Sequence, residues 1–292
     1  MLLTAKKHST ILSNSDIHLF RENIFGYRDL SVDVEMTAAT LKTRISFDCE
    51  ETMKEKDGVK PDPVLEPLIK ILAENQVAKN EDEFKSEFEK DKKFKPFGKK
   101  LSEYATKSGE TGEDEVYEIY ACEGSESGFK EYHERMQPWI LFYIDAASYI
   151  DFDDANWRFF VVYERFRDPD GGEARYAFAG YTTVYQYYAY PANIRPRVSQ
   201  MLVLPPFQRR GLGAKMLDVV QQYYWGNEKV IDITGESTLN VFATHTSCSN
   251  SFQLRIPPMI SSVFVTSSTA RIVPPSMHFL HKICTKDTAL QW

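Results

Sequence analysis

The chain has 292 residues, of which 42% are hydrophobic and 13% aromatic, enough for one large domain or two modest ones. Its net charge of −7 argues against general nucleic-acid binding, and its apolar runs fall short of the ~18 residues that a membrane-spanning helix requires. Residues 1–16 lack the apolar stretch of a secretory signal. The four cysteines lie far apart without metal-ligand spacing, so we expect free thiols in a reducing compartment and no metal.

Short strands and helices are predicted before residue 125. Partial alternation over Met36–Phe47 predicts strands, and the charged stretch Lys54–Pro63 predicts a loop. Helices are predicted over Leu65–Glu74 and Asn80–Lys93. The second helix begins with acidic residues, which interact favourably with the positive end of the helix dipole. Its many charges indicate a solvated face. Alternation over Asp114–Ala121 predicts a further strand.

The second part of the chain predicts a mixed α/β layer around a sheet. It contains a helix interrupted near Pro138, an acidic turn, two strands joined by a hairpin turn, and a closing strand. In order, these are predicted over Phe129–Ile150, Asp151–Asn156, Trp157–Phe166, Asp168–Gly172, Ala174–Tyr190 (one long strand or two) and Val230–Ile233.

The most informative stretch is Ser199–Val220, an apolar strand followed by the glycine-bearing turn QRRGLG and then a helix. Such a turn points several backbone N–H groups at one spot, where the helix dipole adds partial positive charge. The spacing of the glycines differs from that of the dinucleotide fingerprint and of the nucleotide-triphosphate loop. The stretch therefore predicts a site for the pyrophosphate of a cofactor. The alternative is a turn in which Gly211 and Gly213 only allow close packing.

Residues 237–292 differ from the rest of the chain. They are rich in Ser and Thr, they contain Pro257-Pro258 and Pro274-Pro275, and they carry four basic side chains against one acidic side chain. Helical periodicity is poor there. We expect this tail to be weakly ordered, or folded in a way unrelated to the preceding domain.

Several longer motifs accompany the glycine-bearing turn. They are FKPFG at 94–98, GFKEYHERMQ at 128–137, YIDFDDANW at 149–157, GYTTVYQYYAYP at 180–191, RPRVSQ at 195–200 and VIDITGE at 230–236. With these motifs, roughly residues 17–236 resemble the catalytic subunits of the type B histone acetyltransferases, which belong to the GNAT superfamily. RPRVSQ followed by MLVLPPFQ is more specific than the turn alone.

The resemblance implies an α/β (α+β) fold class, with a GNAT-type mixed sheet flanked by helices and preceded by a smaller N-terminal α/β domain. The implied divisions are a divergent N-terminus (1–16), an N-terminal histone acetyltransferase domain (17–125), an acetyl-CoA-binding catalytic domain (126–236) and an atypical tail (237–292). It also implies acetyl transfer from acetyl-CoA to lysines of newly synthesised histones, chiefly the histone H4 tail. The implied partner is a β-propeller histone chaperone, and the implied location is the cytoplasm and nucleus.

The family's functional positions carry over by motif. The cofactor contacts correspond to Met201, Leu202, Val203, Gln208, Arg209, Arg210, Gly211, Leu212, Gly213 and Ala214, the general base to Glu236, and the histone-tail groove to Glu22, Trp157, Tyr185, Gln186 and Tyr187. Asp145 stands where the family has a glutamate near the active site.

Acyl transfer to lysine requires a neutral amine, although the ordinary pKa of lysine is about 10.4, so a nearby carboxylate must accept a proton. Glu236 is the candidate base. Without the resemblance, a glutamate at the end of a strand more often belongs to the solvated surface. Asp145 either holds the lysine, tunes Glu236 as a like charge, or is a polar residue at a helix end. Arg209 and Arg210 either meet cofactor phosphates or are surface charges.

The aromatic and acidic runs also allow two interpretations. Alternation places Tyr181, Tyr185 and Tyr187 on one face of a strand, where they either pack in the core or line a groove for an extended peptide. The aspartates at 151–154 resemble a metal cluster, but further oxygen ligands at calcium-loop spacing are missing from the sequence. This favours aspartates that cap a turn.

Two other functions stay open. After Glu236 the family continues with an aspartate and a long helix, whereas this chain continues with Ser237 and the tail. A catalytically impaired form that only binds acetyl-CoA or histone is therefore one alternative. A GNAT enzyme that acts on a small amine is another, although the long N-terminal half and RPRVSQ disfavour it.

Overall fold

The computed structural model describes residues 2–4, 24–55, 58–107, 114–144, 147–167 and 172–235. Three predicted site residues (Glu22, Asp145 and Glu236) and the predicted tail lie outside this part. Within it the strands are β1 (Leu2–Thr4), β2 (Tyr27–Arg28), β3 (Ser31–Thr37), β4 (Thr43–Asp48), β5 (Glu51–Thr52), β6 (Lys99–Lys107), β7 (Asp114–Cys122), β8 (Trp157–Arg167), β9 (Ala174–Ala189), β10 (Asn193–Val203) and β11 (Thr234–Gly235). The helices are α1 (Leu65–Ile71), α2 (Glu81–Asp91), α3 (Phe129–Tyr143) and α4 (Leu212–Tyr224).

Small sheets and two helices form the N-terminal region. β1, β3 and β4 make an antiparallel three-stranded sheet, and β2 pairs with β5. The interval predicted as strands, Met36–Phe47, contains the turn between β3 and β4 as well as part of each strand. Here the apolar pattern locates the hairpin but not its ends.

α2 begins at the predicted place because Asn80 caps it, its side chain accepting a hydrogen bond from the Glu83 N–H at 2.8 Å. The prediction of a solvated face is wrong for Asp91, which is 3% exposed. Its Oδ1 accepts hydrogen bonds from the N–H groups of Ala39 (2.9 Å) and Thr40 (2.7 Å). The turn after β3 needs an acceptor for these N–H groups, and Asp91 provides it.

The main sheet has six strands in the order β11-β10-β9-β8-β7-β6. All neighbours are antiparallel except β10 and β11, which are parallel and are connected through α4. The predicted strands at Asp114, Trp157 and Ala174 are confirmed, and β9 is a single long strand. β6 was not predicted, because its sequence KKLSEYATK carries charges like an exposed helix; it lies at the sheet edge, where charges are tolerated.

α3 and α4 cover opposite faces of this sheet. On β8, the Phe159 ring contacts Phe129 of α3 (5.3 Å between centroids), whereas the next residue, Phe160, contacts Tyr223 of α4 (5.2 Å). Successive side chains of a strand point to opposite faces, so the two helices sandwich the sheet. The predicted fold class, a mixed α/β sheet flanked by helices after a smaller N-terminal region, is confirmed.

Two predicted elements differ in detail. α3 is not interrupted at Pro138, because buried residues on both sides of it, such as Met136 and Ile140, keep the helix packed; it ends at Tyr143. The apolar stretch at 230–233 makes only one bridge, between Val230 and Ile194, and regular pairing begins at Thr234.

Strands from both sides of residue 125 share the main sheet, and the domain boundaries stay a prediction. Within the described ranges, the helices are too short or too polar to cross a bilayer.

Candidate active site

One edge of β10 opens beyond Val198. β11 pairs with β10 only at Arg197 and Val198, and a bulge interrupts the β10–β9 register between Val198 and Gln200. The Leu204 N–H donates to the Ala179 carbonyl at 2.9 Å. Because antiparallel pairing alternates along a strand, the backbone groups of Met201 and Val203 then point away from β9. In the ranges given above, no strand pairs with this edge after Val198.

The N-terminus of α4 lies beside this open edge. Gly211 precedes the helix with φ of 79°, a left-handed conformation that favours glycine. The first bond to its carbonyl comes from the Lys215 N–H at 3.0 Å, so the N–H groups of Leu212, Gly213 and Ala214 project from the helix end. A Cβ at Gly213 would lie 3.1 Å from Cε of Met201, which places the turn directly against β10. The predicted cofactor residues are therefore brought together.

The side chains of the turn point in different directions. Gln208 turns back, its Nε2 donating to the Val203 carbonyl at 2.8 Å. Arg209 is exposed, with a φ of 64°. Arg210 points towards the sheet, where its Nη1 lies 2.6 Å from both Glu115 Oε2 and the Tyr117 hydroxyl. Of the two arginines in the turn, only Arg209 therefore exposes its guanidinium group to solvent.

Sequence reasoning missed the residues behind the turn. The Tyr104 hydroxyl of β6 donates to the Arg210 carbonyl at 3.0 Å, and Glu115 of β7 binds its guanidinium. Glu164 lies nearby, and burial together with the Glu115 charge raises the pKa of its carboxyl group. Because 95 residues separate Glu115 from Arg210, no local pattern connects them.

An aromatic surface lies where the first residue of β8, Trp157, pairs with Tyr185 of β9. The Trp157 and Tyr185 rings are 4.9 Å apart, and those of Tyr185 and Tyr187 are 4.6 Å apart. Tyr187 is 46% exposed. The structure therefore brings together three of the predicted groove residues. Gln186 lies on the α4 face instead, where its Nε2 donates to the Tyr224 hydroxyl at 3.0 Å.

The acidic turn holds this aromatic surface. Asp154 Oδ2 accepts a hydrogen bond from the Tyr185 hydroxyl at 2.8 Å, and its Oδ1 accepts one from the Asn156 N–H at 2.9 Å. These hydrogen bonds, that of the Asn156 N–H first, lower the pKa of the Asp154 carboxyl group. Asp151 similarly accepts from the Asp153 N–H at 3.1 Å. The aspartates thus cap a turn, as predicted.

Three predicted site residues lie outside the described part of the chain, so only the positions of their neighbours are known. Gly235, the last residue of β11, pairs with Val198 at the bulge of β10. Glu236 follows it directly and stays a prediction, as do Asp145 and Glu22. Tyr181, one of the alternating tyrosines, is fully buried and belongs to the core.

Comparison with known proteins identifies relatives of this chain. A family model described as "Histone acetyl transferase HAT1 N-terminus" matches residues 16–145. Proteins named "Histone acetyltransferase type B catalytic subunit" from Rattus norvegicus and Homo sapiens are each 40% identical over 216 residues, which is 74% of this chain and 51% of each relative. A Dictyostelium discoideum protein with that description is 37% identical over 226 residues, covering 76% of this chain and 47% of the relative.

The chain thus spans about half the length of the curated relatives it matches. Among solved structures, an aminoglycoside acetyltransferase from an uncultured soil metagenomic sample, in complex with sisomicin, is similar with a TM-score of 0.34 and 15% identity. That match covers 53% of this chain and 97% of the other. A likeness this loose says nothing about function. The family model and the sequence relatives agree, and about three quarters of this chain is similar to type B histone acetyltransferase catalytic subunits.

Proposed function

We propose that this protein transfers the acetyl group of acetyl-CoA to a lysine side chain of a histone, chiefly in the histone H4 tail. The observation that carries the proposal is the open edge of β10 lying against the N-terminus of α4. Such an edge offers backbone hydrogen bonds to an extended chain, and the helix end offers N–H groups to an anion. The relatives named as histone acetyltransferases support the same activity.

The residues of the turn fit acetyl-CoA. Its pyrophosphate would be held by backbone N–H groups within Gln208–Ala214, and its extended arm by the strand residues Met201–Val203. The absence of side chains at Gly211 and Gly213 lets the turn lie close to the sheet, since a Cβ would come within 3.0 Å of the Tyr104 hydroxyl at Gly211 and within 3.1 Å of Met201 Cε at Gly213. Bound acetyl-CoA supplies a thioester that an amine can attack.

The chain's own residues then handle the proton. We assign Glu236 as the general base, because it follows Gly235, which is paired beside the bulge of β10. Its carboxylate accepts the proton of the lysine ammonium group, directly or through one water, and the neutral amine attacks. Asp145, one methylene shorter than the family's glutamate, orients the lysine or acts on Glu236 as a nearby like charge.

The aromatic surface is our candidate groove for the histone tail. Trp157, Tyr185 and Tyr187 provide apolar walls for an extended peptide, and Asp154 holds Tyr185 in place. Glu22 would add a negative charge, and Gln186 would act through the backbone, since its side chain lies on the other face. The chain's net charge of −7 suits a basic peptide. We also propose a β-propeller histone chaperone as partner, and action in the cytoplasm and nucleus.

Acetylation of a histone H4 tail peptide by the full chain tests this proposal. Purified wild type is incubated with acetyl-CoA and the peptide, beside Glu236→Gln, and acetyl-lysine is measured by mass spectrometry. We expect wild-type turnover and a loss of about 10²–10⁴-fold in Glu236→Gln, the usual contribution of a general base. Peptide or acetyl-CoA binding without turnover would identify the impaired form. Acetylation of polyamines but not of the peptide would identify a small-amine enzyme.

A further inference from the structure

The two arginines of the cofactor turn differ in what surrounds them. Arg209 is exposed, and among the described residues its guanidinium makes no hydrogen bond or ion pair. The Arg210 side chain is 25% exposed, and its partner Glu115 is 14% exposed. The guanidinium of Arg210 is therefore already occupied, on the side of the turn that faces the sheet.

Three side chains hold Arg210 from behind the turn. Glu115 accepts from Nη1 at 2.6 Å, and the Tyr117 hydroxyl lies 2.6 Å from the same nitrogen while it donates to Glu115 at 2.9 Å. The Tyr104 hydroxyl donates to the Arg210 carbonyl at 3.0 Å. We refer to Tyr104, Glu115, Tyr117 and Arg210 as the Arg210 anchor. It binds both the backbone and the side chain of one residue, so it fixes the turn relative to β6 and β7.

The local charges oppose a role for Arg210 as a phosphate ligand. Glu115 forms an ion pair with Arg210, and Glu164 lies close enough to interact with both charges, so moving Arg210 towards an anion would leave Glu115 without its cation and beside a second acidic group. Charge-assisted hydrogen bonds of this kind, partly buried, are costly to break. Arg209 has no such competing partner in the described part of the chain.

We propose that Arg210 is a positioning residue, anchored to Glu115, Tyr117 and Tyr104, and that Arg209 is the cation of the turn that meets the cofactor's phosphates. This inference rests on the proposed binding of acetyl-CoA. The anchor keeps the amides of the turn and the N-terminus of α4 aimed at the pyrophosphate, so no ordering of the turn has to accompany binding. Arg209 adds a screened, longer-range attraction.

The two possible roles of Arg210 predict opposite changes in acetyl-CoA affinity for the variant Glu115→Gln. If Arg210 bound phosphate, this variant would free it and remove a negative charge, and acetyl-CoA would bind more tightly. With an anchoring role, the turn is loosened, and we expect affinity about fivefold to tenfold weaker, as for the loss of one or two charge-assisted hydrogen bonds. Calorimetric titration of acetyl-CoA into the full chain measures this difference.

Three further variants complete the experiment. Tyr104→Phe keeps the ring and should weaken binding by about threefold, as expected for one neutral hydrogen bond. Arg209→Gln should weaken it at low salt and match wild type at high salt, because an exposed charge is screened. The matched control is Glu35→Gln, which breaks a half-buried ion pair with Arg44 in the N-terminal three-stranded sheet and should leave affinity unchanged.

The readouts separate this inference from the proposed function. If wild type itself does not bind acetyl-CoA, the proposed function fails. If wild type binds and Glu115→Gln binds as tightly or more tightly, only the anchoring role is overturned. In turnover assays of Tyr104→Phe, we expect a raised KM for acetyl-CoA with unchanged kcat and peptide KM. An equal loss in kcat instead would contradict a positioning role.

Discussion

Two turns of this protein are each held by a carboxylate and a tyrosine, and they use these groups in different ways. In the turn between β3 and β4, Asp91 binds the backbone N–H groups of Ala39 and Thr40, while the Tyr132 hydroxyl donates to the Ala39 carbonyl at 2.9 Å. In the turn before α4, Glu115 binds the Arg210 side chain, while the Tyr104 hydroxyl donates to the Arg210 carbonyl.

Both turns contain a residue other than glycine in the left-handed region, Leu41 with φ of 61° and Arg209 with φ of 64°. Such residues persist where surrounding contacts hold them. The difference lies in the amides. Asp91 consumes those of the first turn inside the protein, whereas Glu115 leaves those before α4 for a ligand. The first turn is therefore structural, and the second is suited to binding.

Removing the Asp91 carboxylate, which holds the turn between β3 and β4, should give the largest loss of stability. Asp91→Ala removes the acceptor of the buried N–H group of Ala39 and of the half-buried N–H and hydroxyl groups of Thr40, so we expect a loss of about 3 kcal/mol in the free energy of unfolding. Urea unfolding measures it. Asp48→Ala, on an exposed residue, is the control and should change stability by about 0.5 kcal/mol or less. Equal losses in both variants would contradict the structural role of the first turn.

Acid should weaken the α3 side of the molecule next. His133 follows Tyr132 on α3; burial among Phe129, Phe152 and Phe159 lowers its pKa to about 3, and its ring nitrogens lack hydrogen-bond partners in the described part. A folded-state pKa below the unfolded value means that stability is complete above pH 6.5 and falls as pH drops towards 3.

Between pH 6.5 and 4.5 this group should cost about 2–3 kcal/mol, since each pKa unit corresponds to about 1.4 kcal/mol. Urea unfolding of wild type and His133→Leu at both pH values isolates the contribution, because all other titrating groups are shared. We expect the variant to lose less stability on acidification by that amount. Parallel losses would show that His133 is not buried as a neutral group.

Alternation and glycine placement made much of the main sheet predictable. β7 follows from alternating residues, β8 and β9 follow from apolar and aromatic runs, and the turn before α4 follows from Gly211 and Gly213. These signals are local, because a strand pattern or a left-handed glycine depends on neighbouring residues. The resemblance assigned Trp157, Tyr185 and Tyr187 to one groove, and alternation placed the two tyrosines on one face of a strand.

The contacts of Asp91 and Glu115 that hold the two turns could not be predicted, because the partners are distant in sequence. Asp91 meets Ala39 across 52 positions, and Glu115 meets Arg210 across 95. Asp91 also lies in a helix whose many charges suggest a solvated surface, and only the tertiary structure shows that one of them is buried. Tertiary contacts of this kind override local patterns.

A methyl group at the second turn should produce a smaller effect that distinguishes stability from binding. Gly211→Ala places a Cβ 3.0 Å from the Tyr104 hydroxyl at φ of 79°, and Gly226→Ala is its match, with φ of 80° and no atom within 4 Å. Each should lose about 1–2 kcal/mol of stability from the left-handed backbone. Thermal unfolding checks this. Calorimetry should then show weaker acetyl-CoA binding only for Gly211→Ala, and equal affinities would argue against a ligand at this turn.

The smallest expected loss of stability comes from a change at the N-terminus of α2, the helix that contains Asp91. Asn80→Ala removes the acceptor for the Glu83 N–H, which should cost about 1 kcal/mol, whereas Asn80→Asp keeps the cap and should cost little. Asp91 lies eleven positions further on, about 16 Å along the helix axis, so the two sites should act independently. The urea-derived loss of Asn80→Ala/Asp91→Ala should therefore equal the sum of the single losses. A markedly smaller loss would mean that the Asp91 contact depends on the whole of α2, and the first turn would then be held by a helix rather than by one carboxylate.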